Sequence, residues 1–330
     1  MKGVTVWSRR RVGFAGAGAV AVTGIAAAVV CLSAASAPAM LVPAVPAAAA
    51  VPVAAPAAAP AAAYDAAYDV AAGPVVALGD SYTAGELLPL DLSARPLGCA
   101  RSPQAYPELV ARALDTTLVN AACEGAGVQD ITGAQVTNVG TNAPQLNALA
   151  PGDALVVLTL GGDDLGFWST LDTCMELSVT DLFGAPCERH FTSGGTDQLA
   201  ARVTAEAPRI TAVLADIRAR APQARIVVVG YPDLFPQSGG CWPAVPITSG
   251  DIAYLRSIEL RLNAMLAADA AAAGDTFVNT YTPTIGHDFC QGASVKDVEG
   301  LVPTSLTYPF HPNARGQAAM AAAVLAALRG

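Results

Sequence analysis

The stretch Pro74-Val75-Val76-Ala77-Leu78-Gly79-Asp80-Ser81-Tyr82 decides how this chain is read. Four apolar residues end abruptly in Gly-Asp-Ser. A short apolar run closed by glycine reads as a buried strand leaving its sheet. Ser81 then stands just past the carboxyl end of that strand, where open α/β sheets place their chemistry. Asp and Ser are also common turn residues, so the stretch alone supports a plain strand-to-turn junction as well as a nucleophile.

Strands and helices alternate downstream. The spacing predicts a helix over 102–114, with Ser102 as N-cap and Pro103 in the first turn. Residues 117–121 read as a second strand, ending in Ala122-Cys123-Glu124-Gly125-Ala126-Gly127. Residues 154–160 form the strongest strand, apolar throughout as a central parallel strand should be, and close on Gly161-Gly162-Asp163-Asp164. A loop insertion holding Cys174 and Cys187 is expected next. A helix over 198–220 follows, with Pro208 as its weak point. Then come a strand over 225–229, a helix over 249–273, a short strand over 276–279 and a last helix over 314–328. Such alternation builds an α/β fold with a parallel sheet and right-handed crossovers.

The first 72 residues read differently. Lys2, Arg9, Arg10 and Arg11 precede an apolar stretch over 12–32 and then Ala35-Ser36-Ala37, the order of a secretory signal peptide. The apolar stretch is also long enough to span a bilayer, so an uncleaved anchor is the alternative for 1–37. Cys31 belongs to this leader. Residues 38–72 are nearly all Ala, Pro and Val, the composition of a disordered tether. The folded domain is therefore expected over 73–330.

The whole-chain charge of −9 includes +4 from the leader, which leaves −13 for the rest. That balance argues against nucleic acid or an anionic membrane surface as main partner. Six cysteines follow the leader: Cys99, Cys123, Cys174, Cys187, Cys241 and Cys290. An even number in an exported chain implies disulfides, and pairing of neighbours in order is the expected pattern, pinning loops rather than core strands. No CxxC pair occurs, so a zinc site is not expected.

Four loops now share one sheet edge: those bearing Ser81, Gly125, Gly162-Asp163 and His311. Hydrolysis of an ester by serine needs a nucleophile, a base and donors for the oxyanion. Ser81 fits the first role and His311 the second, since neutral imidazole is matched to proton transfer near neutral pH. The backbone N–H groups of Ser81 and Gly125 fit the third. His190, in the cysteine-flanked insertion, reads as exposed. Gly286-His287-Asp288 reads as local hydrogen bonding beside Cys290, with His287 the rival base. Asp163-Asp164 does not read as a metal pair, because neighbours on an extended strand face opposite ways. Asp80 reads as a turn residue.

In these blocks the chain resembles the SGNH (GDSL) hydrolase superfamily, in its secreted bacterial esterase and lipase branch. The resemblance rests on Gly79-Asp80-Ser81-Tyr82, on the glycine of Ala-Cys-Glu-Gly-Ala at Gly125, on Gly161-Gly162-Asp163-Asp164, and on His311-Pro312-Asn313 with Gly316-Gln317. Gly286-His287-Asp288 with Cys290 and the six-cysteine layout also resemble this branch. The resemblance covers nearly all of 74–330. It implies a three-layer, flavodoxin-like fold of about five parallel strands, Ser81 as nucleophile, His311 as base, and Gly125 and position 163 in the oxyanion hole. No cofactor and no metal are expected.

Two departures stand out. The family often has Asp three residues before the histidine; here Tyr308 stands there. The resemblance implies that the Tyr308 backbone carbonyl orients the imidazole, giving a Ser–His dyad, with Asp297 as a remote acid lacking positional support. Asp163 stands where the family has Asn. An amide donates to the oxyanion; an ionised carboxylate only accepts. Asp163 can serve only when protonated, which burial and Asp164 both favour. Low activity, or activity favoured by mildly acidic pH, is the expectation.

The function expected is a secreted serine esterase or lipase acting on small-molecule or lipid esters, monomeric, with cell-envelope association possible through the N-terminal region. The rivals are a weakened or non-catalytic binding domain on a wall-spanning tether, and a polysaccharide acetylesterase. Leu87, Leu88 and the 167–190 insertion are candidates for an acyl pocket; Phe167, Trp168 and Leu171 read equally as core or substrate wall.

Overall fold

Val75, Val76, Ala77 and Leu78 point alternately to the two sides of an extended backbone, and both sides are apolar. A strand of this kind needs cover on both faces. The computed structural model describes residues 73–329, and the expected leader and tether lie outside the described residues. In chain order the first elements are β1 (Val75–Gly79), α1 (Ser81–Ala84), α2 (Tyr106–Ala113), β2 (Leu118–Asn120), α3 (Val128–Thr132), β3 (Gln135–Thr137), β4 (Gly140–Asn142) and β5 (Leu155–Thr159). Then come α4 (Phe167–Ser178), α5 (Pro186–Phe191), α6 (Gln198–Arg220), β6 (Arg225–Val229), α7 (Ser249–Ala273), β7 (Thr276–Val278) and α8 (Ala314–Ala327).

Five strands form one parallel sheet in the order β2-β1-β5-β6-β7. This is the expected α/β sheet of five strands. Val76, Leu78, Val156, Leu158, Ile226 and Val228 pack on one face against residues such as Val213 of α6 and Leu266 of α7. Val75, Ala77, Leu155, Val157, Val227 and Val229 pack on the other, against Val110 of α2 and Met320 and Val324 of α8. Each valine, leucine, isoleucine or methionine among them contributes roughly 1.5–3 kcal/mol by leaving water. Helices on both faces give the three layers.

The chain leaves β1 toward β2 on one side and later returns to β5 on the other. Open α/β sheets form their ligand crevice at such a reversal, outside the carboxyl ends of the strands. Gly79 ends β1 at φ 119°, and a Cβ there would stand 2.1 Å from the Thr159 carbonyl oxygen of β5. Only glycine lets the two strands part this closely.

Helices α6 and α7 lie where the sequence places them, and α6 runs through Pro208 unbroken. Other elements differ. The helix expected over 102–114 begins only at Tyr106, with Ala105 as N-cap. The Ser102 hydroxyl makes a turn instead: it donates to the Pro89 carbonyl at 2.8 Å and accepts from Gln104 N at 3.0 Å. The insertion expected as loop is helical, as α4 and α5. Phe167, Thr170, Leu171, Cys174 and Ser178 carry the helical spacing, but threonine and serine at buried positions hide it from an apolar pattern. The short α3 and the β3–β4 hairpin had no counterpart in the sequence reading.

The cysteines pair as Cys99–Cys123, Cys174–Cys187 and Cys241–Cys290. The second pair joins α4 to α5 rather than pinning loops. Cys99–Cys123 closes a span of 24 residues. Replacing both with alanine is expected to lower unfolding free energy by about 3 kcal/mol, mainly by freeing the unfolded chain. An unchanged urea midpoint would contradict this. Among the described residues no helix is long and apolar enough to cross a membrane.

Candidate active site

Asp80 caps α1: its Oδ1 accepts from Tyr82 N at 2.9 Å. This places Ser81 at the first helical position, with its hydroxyl aimed across the sheet edge. Its Oγ lies 2.7 Å from His311 Nε2, although 230 positions separate the two residues. Both are buried.

His311 is held from behind. Its Nδ1 lies 2.8 Å from the Pro309 carbonyl oxygen. A carbonyl only accepts, so the proton sits on Nδ1 and Nε2 presents its lone pair to Ser81. This corrects the expectation for Tyr308. The Tyr308 carbonyl accepts from the His311 backbone N–H at 3.2 Å, and it is the Pro309 carbonyl that meets Nδ1. The turn between them puts Phe310 at φ 61°, a costly conformation for a residue with a Cβ. Tyr82 supports it, its hydroxyl donating to the Phe310 carbonyl at 2.8 Å. Asn313 then caps α8, accepting from Arg315 N and Gly316 N.

Burial lowers the imidazole pKa to about 4, opposed only by the Pro309 bond. His311 is therefore neutral, and ready as a base, through the ordinary pH range. Glu86, which the sequence reading missed, has Oε2 3.4 Å from Nε2. An ionised carboxylate there would hold the imidazole protonated. Burial instead pushes Glu86 up to about 9, reinforced by its neighbour Glu124. Neutral Glu86 puts no negative charge beside Nε2 and so does not favour the imidazolium. No motif marks Glu86; it arrives because its carbonyl accepts from Tyr308 N and Thr307 Oγ1.

The loop bearing Gly125 is fixed at the end of β1 by Cys123 N donating to the Gly79 carbonyl at 3.1 Å. Gly125 adopts φ 67°. Neither Ser81 N–H nor Gly125 N–H donates a hydrogen bond among the described residues. The Ser81 N–H is thus a free donor at the nucleophile itself, whereas Gly125 is not among the residues that line the cavity.

Asp163 lines the same cavity as Ser81 and His311. Its side chain is open to the cleft, yet enough protein surrounds it to raise its pKa to about 7. Burial is the main cause, followed by the charges of Asp164, Asp130 and Glu124. Asp164 is engaged elsewhere, accepting from Val128 N and pairing with Arg209 at 2.9 Å. Among the described residues no group of three His, Cys, Asp or Glu is arranged to hold a metal ion.

Tyr231, just past β6, ties these turns together. Its hydroxyl accepts from Gly162 N at 2.7 Å and donates to Asp80 Oδ2 at 2.5 Å. Tyr231→Phe strands two buried polar groups at once. It is expected to cost about 1–3 kcal/mol of stability, measured by urea unfolding. An unchanged midpoint would show the bridge to be dispensable.

The remaining candidates lie elsewhere. His190 is exposed, against the Phe191 ring. His287 Nδ1 lies 2.7 Å from the Val295 carbonyl and 3.7 Å from Asp297, so Asp297 is spoken for there and by Arg315 rather than by His311. Asp288 Oδ1 accepts from Cys290 N, the local role expected.

An apolar cavity, partly open to solvent, runs from Ser81 between α4 and α7. Phe167, Leu171, Leu199, Leu234, Phe235 and Leu262 are among its walls. Leu87, Leu88 and Trp168 are not; Trp168 is half-exposed, its ring 5.5 Å from that of Tyr308. An activated hydroxyl, a neutral base, free backbone donors and an apolar cavity are together suited to acyl transfer.

Residues 77–319 match the profile of the GDSL-like Lipase/Acylhydrolase family. Lipase 2 of Streptomyces coelicolor is 37% identical over 252 residues, covering 74% of this chain and 82% of that protein. An esterase of Streptomyces scabiei is 30% identical over 287 residues, covering 74% and 82%. Among solved structures, phospholipase A1 from Streptomyces albidoflavus superposes with a TM-score of 0.65 at 28% identity, covering 79% of this chain and all of that one. The extracellular lipase of Streptomyces rimosus superposes with a TM-score of 0.60 at 29% identity, covering 78% and 100%.

Proposed function

The chain belongs to the GDSL-like lipase/acylhydrolase family and is a carboxylic ester hydrolase, and from that premise we propose that it cleaves esters with apolar acyl chains through an acyl-enzyme formed by a Ser81–His311 dyad. The 2.7 Å contact between Ser81 Oγ and His311 Nε2, at the foot of an apolar cavity, is the observation that carries this reading.

Ser81 Oγ attacks the ester carbonyl carbon as its proton passes to Nε2. The imidazolium that forms keeps its Nδ1 proton on the Pro309 carbonyl, which does the orienting an acid does in a triad. The carbonyl oxygen becomes an oxyanion, met by the N–H groups of Ser81 and Gly125 and by the protonated carboxyl of Asp163. Such donors contribute about 3 kcal/mol each. The tetrahedral species collapses, the C–O bond breaks, and Nε2–H protonates the departing alkoxide. Water then repeats the sequence on the acyl-enzyme and frees the acid.

The cavity supports acyl groups longer than acetyl. The names of the Streptomyces relatives, lipases and a phospholipase A1, support lipid esters as the substrate class. Residues 1–37 serve as the export leader and 38–72 as a tether; the three disulfides and the extracellular S. rimosus relative support secretion. A series of 4-nitrophenyl esters from acetate to palmitate tests the reading. Specificity, kcat/KM, is expected to rise beyond acetate; a profile that falls steadily from acetate would exclude an acyl role for the cavity.

A further inference from the structure

Glu86 joins the loops of the nucleophile and the base through its backbone. Its N–H donates to the Ser81 carbonyl at 3.3 Å, and its carbonyl accepts from Tyr308 N at 3.3 Å and Thr307 Oγ1 at 3.1 Å. Any residue could make these bonds, so they do not account for the carboxyl. The side chain is buried, and its Oε2 stands 3.4 Å from His311 Nε2. A buried carboxyl is costly there, and an apolar side chain would fill the space more cheaply.

The carboxyl meets the base from outside the acyl cavity. Ser81 and His311 line that cavity and Glu86 does not. Neither side chain is sealed: 9% of His311 and 10% of Glu86 remain exposed. A hydrogen bond also joins Glu86 to Glu124. Two carboxyls bond only through a proton, and with that proton between them the oxygen at Nε2 is left to accept.

The second half of the reaction has a need that these atoms fit. Once Ser81 Oγ is acylated it has no proton to give, and Nε2 must take one from water instead. A water held by one bond turns about it; a second bond fixes its direction of attack. Water has two O–H bonds. Two acceptors 3.4 Å apart can share one water at about 2.8 Å from each.

We propose that Glu86 is a positioning residue for deacylation, holding the water that hydrolyses the Ser81 acyl-enzyme. The inference rests on the acyl-enzyme reading. One proton of the water passes to Nε2 as its oxygen bonds to the acyl carbon, while the other O–H stays on Glu86 Oε2. The bond from that carbon to Ser81 Oγ then breaks, Nε2–H returns its proton to Oγ, and the acid leaves. An alcohol attacking in place of water has a single O–H. Nε2 takes it, so an alcohol gains nothing from Glu86.

The test uses the full-length protein, 4-nitrophenyl butyrate and added methanol, with methyl butyrate and butyric acid measured as products. Their ratio reports how the acyl-enzyme divides between methanol and water, whichever step limits turnover. In Glu86→Leu the ratio of methyl ester to acid is expected to rise about tenfold, the worth of one good hydrogen bond lost to water alone. Glu86→Gln keeps an acceptor oxygen and should stay near the wild-type ratio. Glu86→Met serves the same purpose if Glu86→Leu does not fold. A purely structural role would lower both products together, so equal ratios in wild type and the apolar variant would overturn the role of Glu86 alone. Wild type that a fluorophosphonate probe fails to label would overturn the acyl-enzyme and this inference with it.

Discussion

Ser81→Ala is expected to reduce turnover of 4-nitrophenyl esters at least about a thousandfold while leaving the fold intact. The side chain is small and buried, and its removal breaks one hydrogen bond, to His311. The loss in chemistry is large because no other described hydroxyl shares the Nε2 contact. Residues that act as one unit lose activity together, so His311→Ala should fall to a similar level and the double variant little further. A fluorophosphonate probe separates nucleophile from scaffold: wild type is labelled once and Ser81→Ala is not. Turnover in Ser81→Ala above a tenth of wild type, at an unchanged thermal midpoint, would overturn the dyad. Unlabelled wild type would instead favour a catalytically inert site.

The second large effect concerns pH. In the proposed mechanism three groups around the nucleophile must each hold one protonation state. His311 must be neutral, which holds above about 4. Asp163 must be protonated to donate, which holds below about 7. Glu86, at about 9, stays neutral across that window. The free enzyme should therefore show a kcat/KM profile that rises through about 4 and falls through about 7. The sign follows from the chemistry of position 163. Deprotonation removes a donor and adds a negative charge beside a developing oxyanion, so activity is lost as pH rises. Asp163→Asn replaces the titrating donor with a permanent one. Its profile should lose the alkaline limb. At pH 8 roughly one wild-type molecule in ten holds the Asp163 proton if the pKa is about 7, so the variant should gain about tenfold there. At pH 5 the two should be nearly equal. A tenfold drop at pH 8 would show that the carboxylate has a role the amide cannot fill.

The legible parts of this molecule share a cause. β1, β5 and β6 are continuous apolar runs closed by glycine, a pattern that leaves few alternatives to a buried parallel strand. Helices α6 and α7 are long enough for their spacing to outweigh even Pro208. The parts that were not legible are short or locally ambiguous. The α4 face is partly serine and threonine, and β3 and β4 have three residues each. The start of α2 moved because Ser102 spends its hydroxyl on a contact 13 residues away.

Ser81, Gly125 and His311 were recognisable from local words, because each needs a particular neighbour to form its turn: Asp80 to cap, glycine at φ 67°, Asn313 to start α8. Which carbonyl supports the imidazole was not. The choice of Pro309 over Tyr308 depends on the direction the chain takes at Phe310, and that direction depends on Tyr82, 228 positions earlier. Glu86 beside Nε2, and the buried Glu259 among the residues of the apolar cavity, were also invisible. Their ionisation is set by how much protein surrounds them and by which charges face them. Both are properties of a folded volume, to which residues far apart in the chain contribute, and no reading along one dimension contains them.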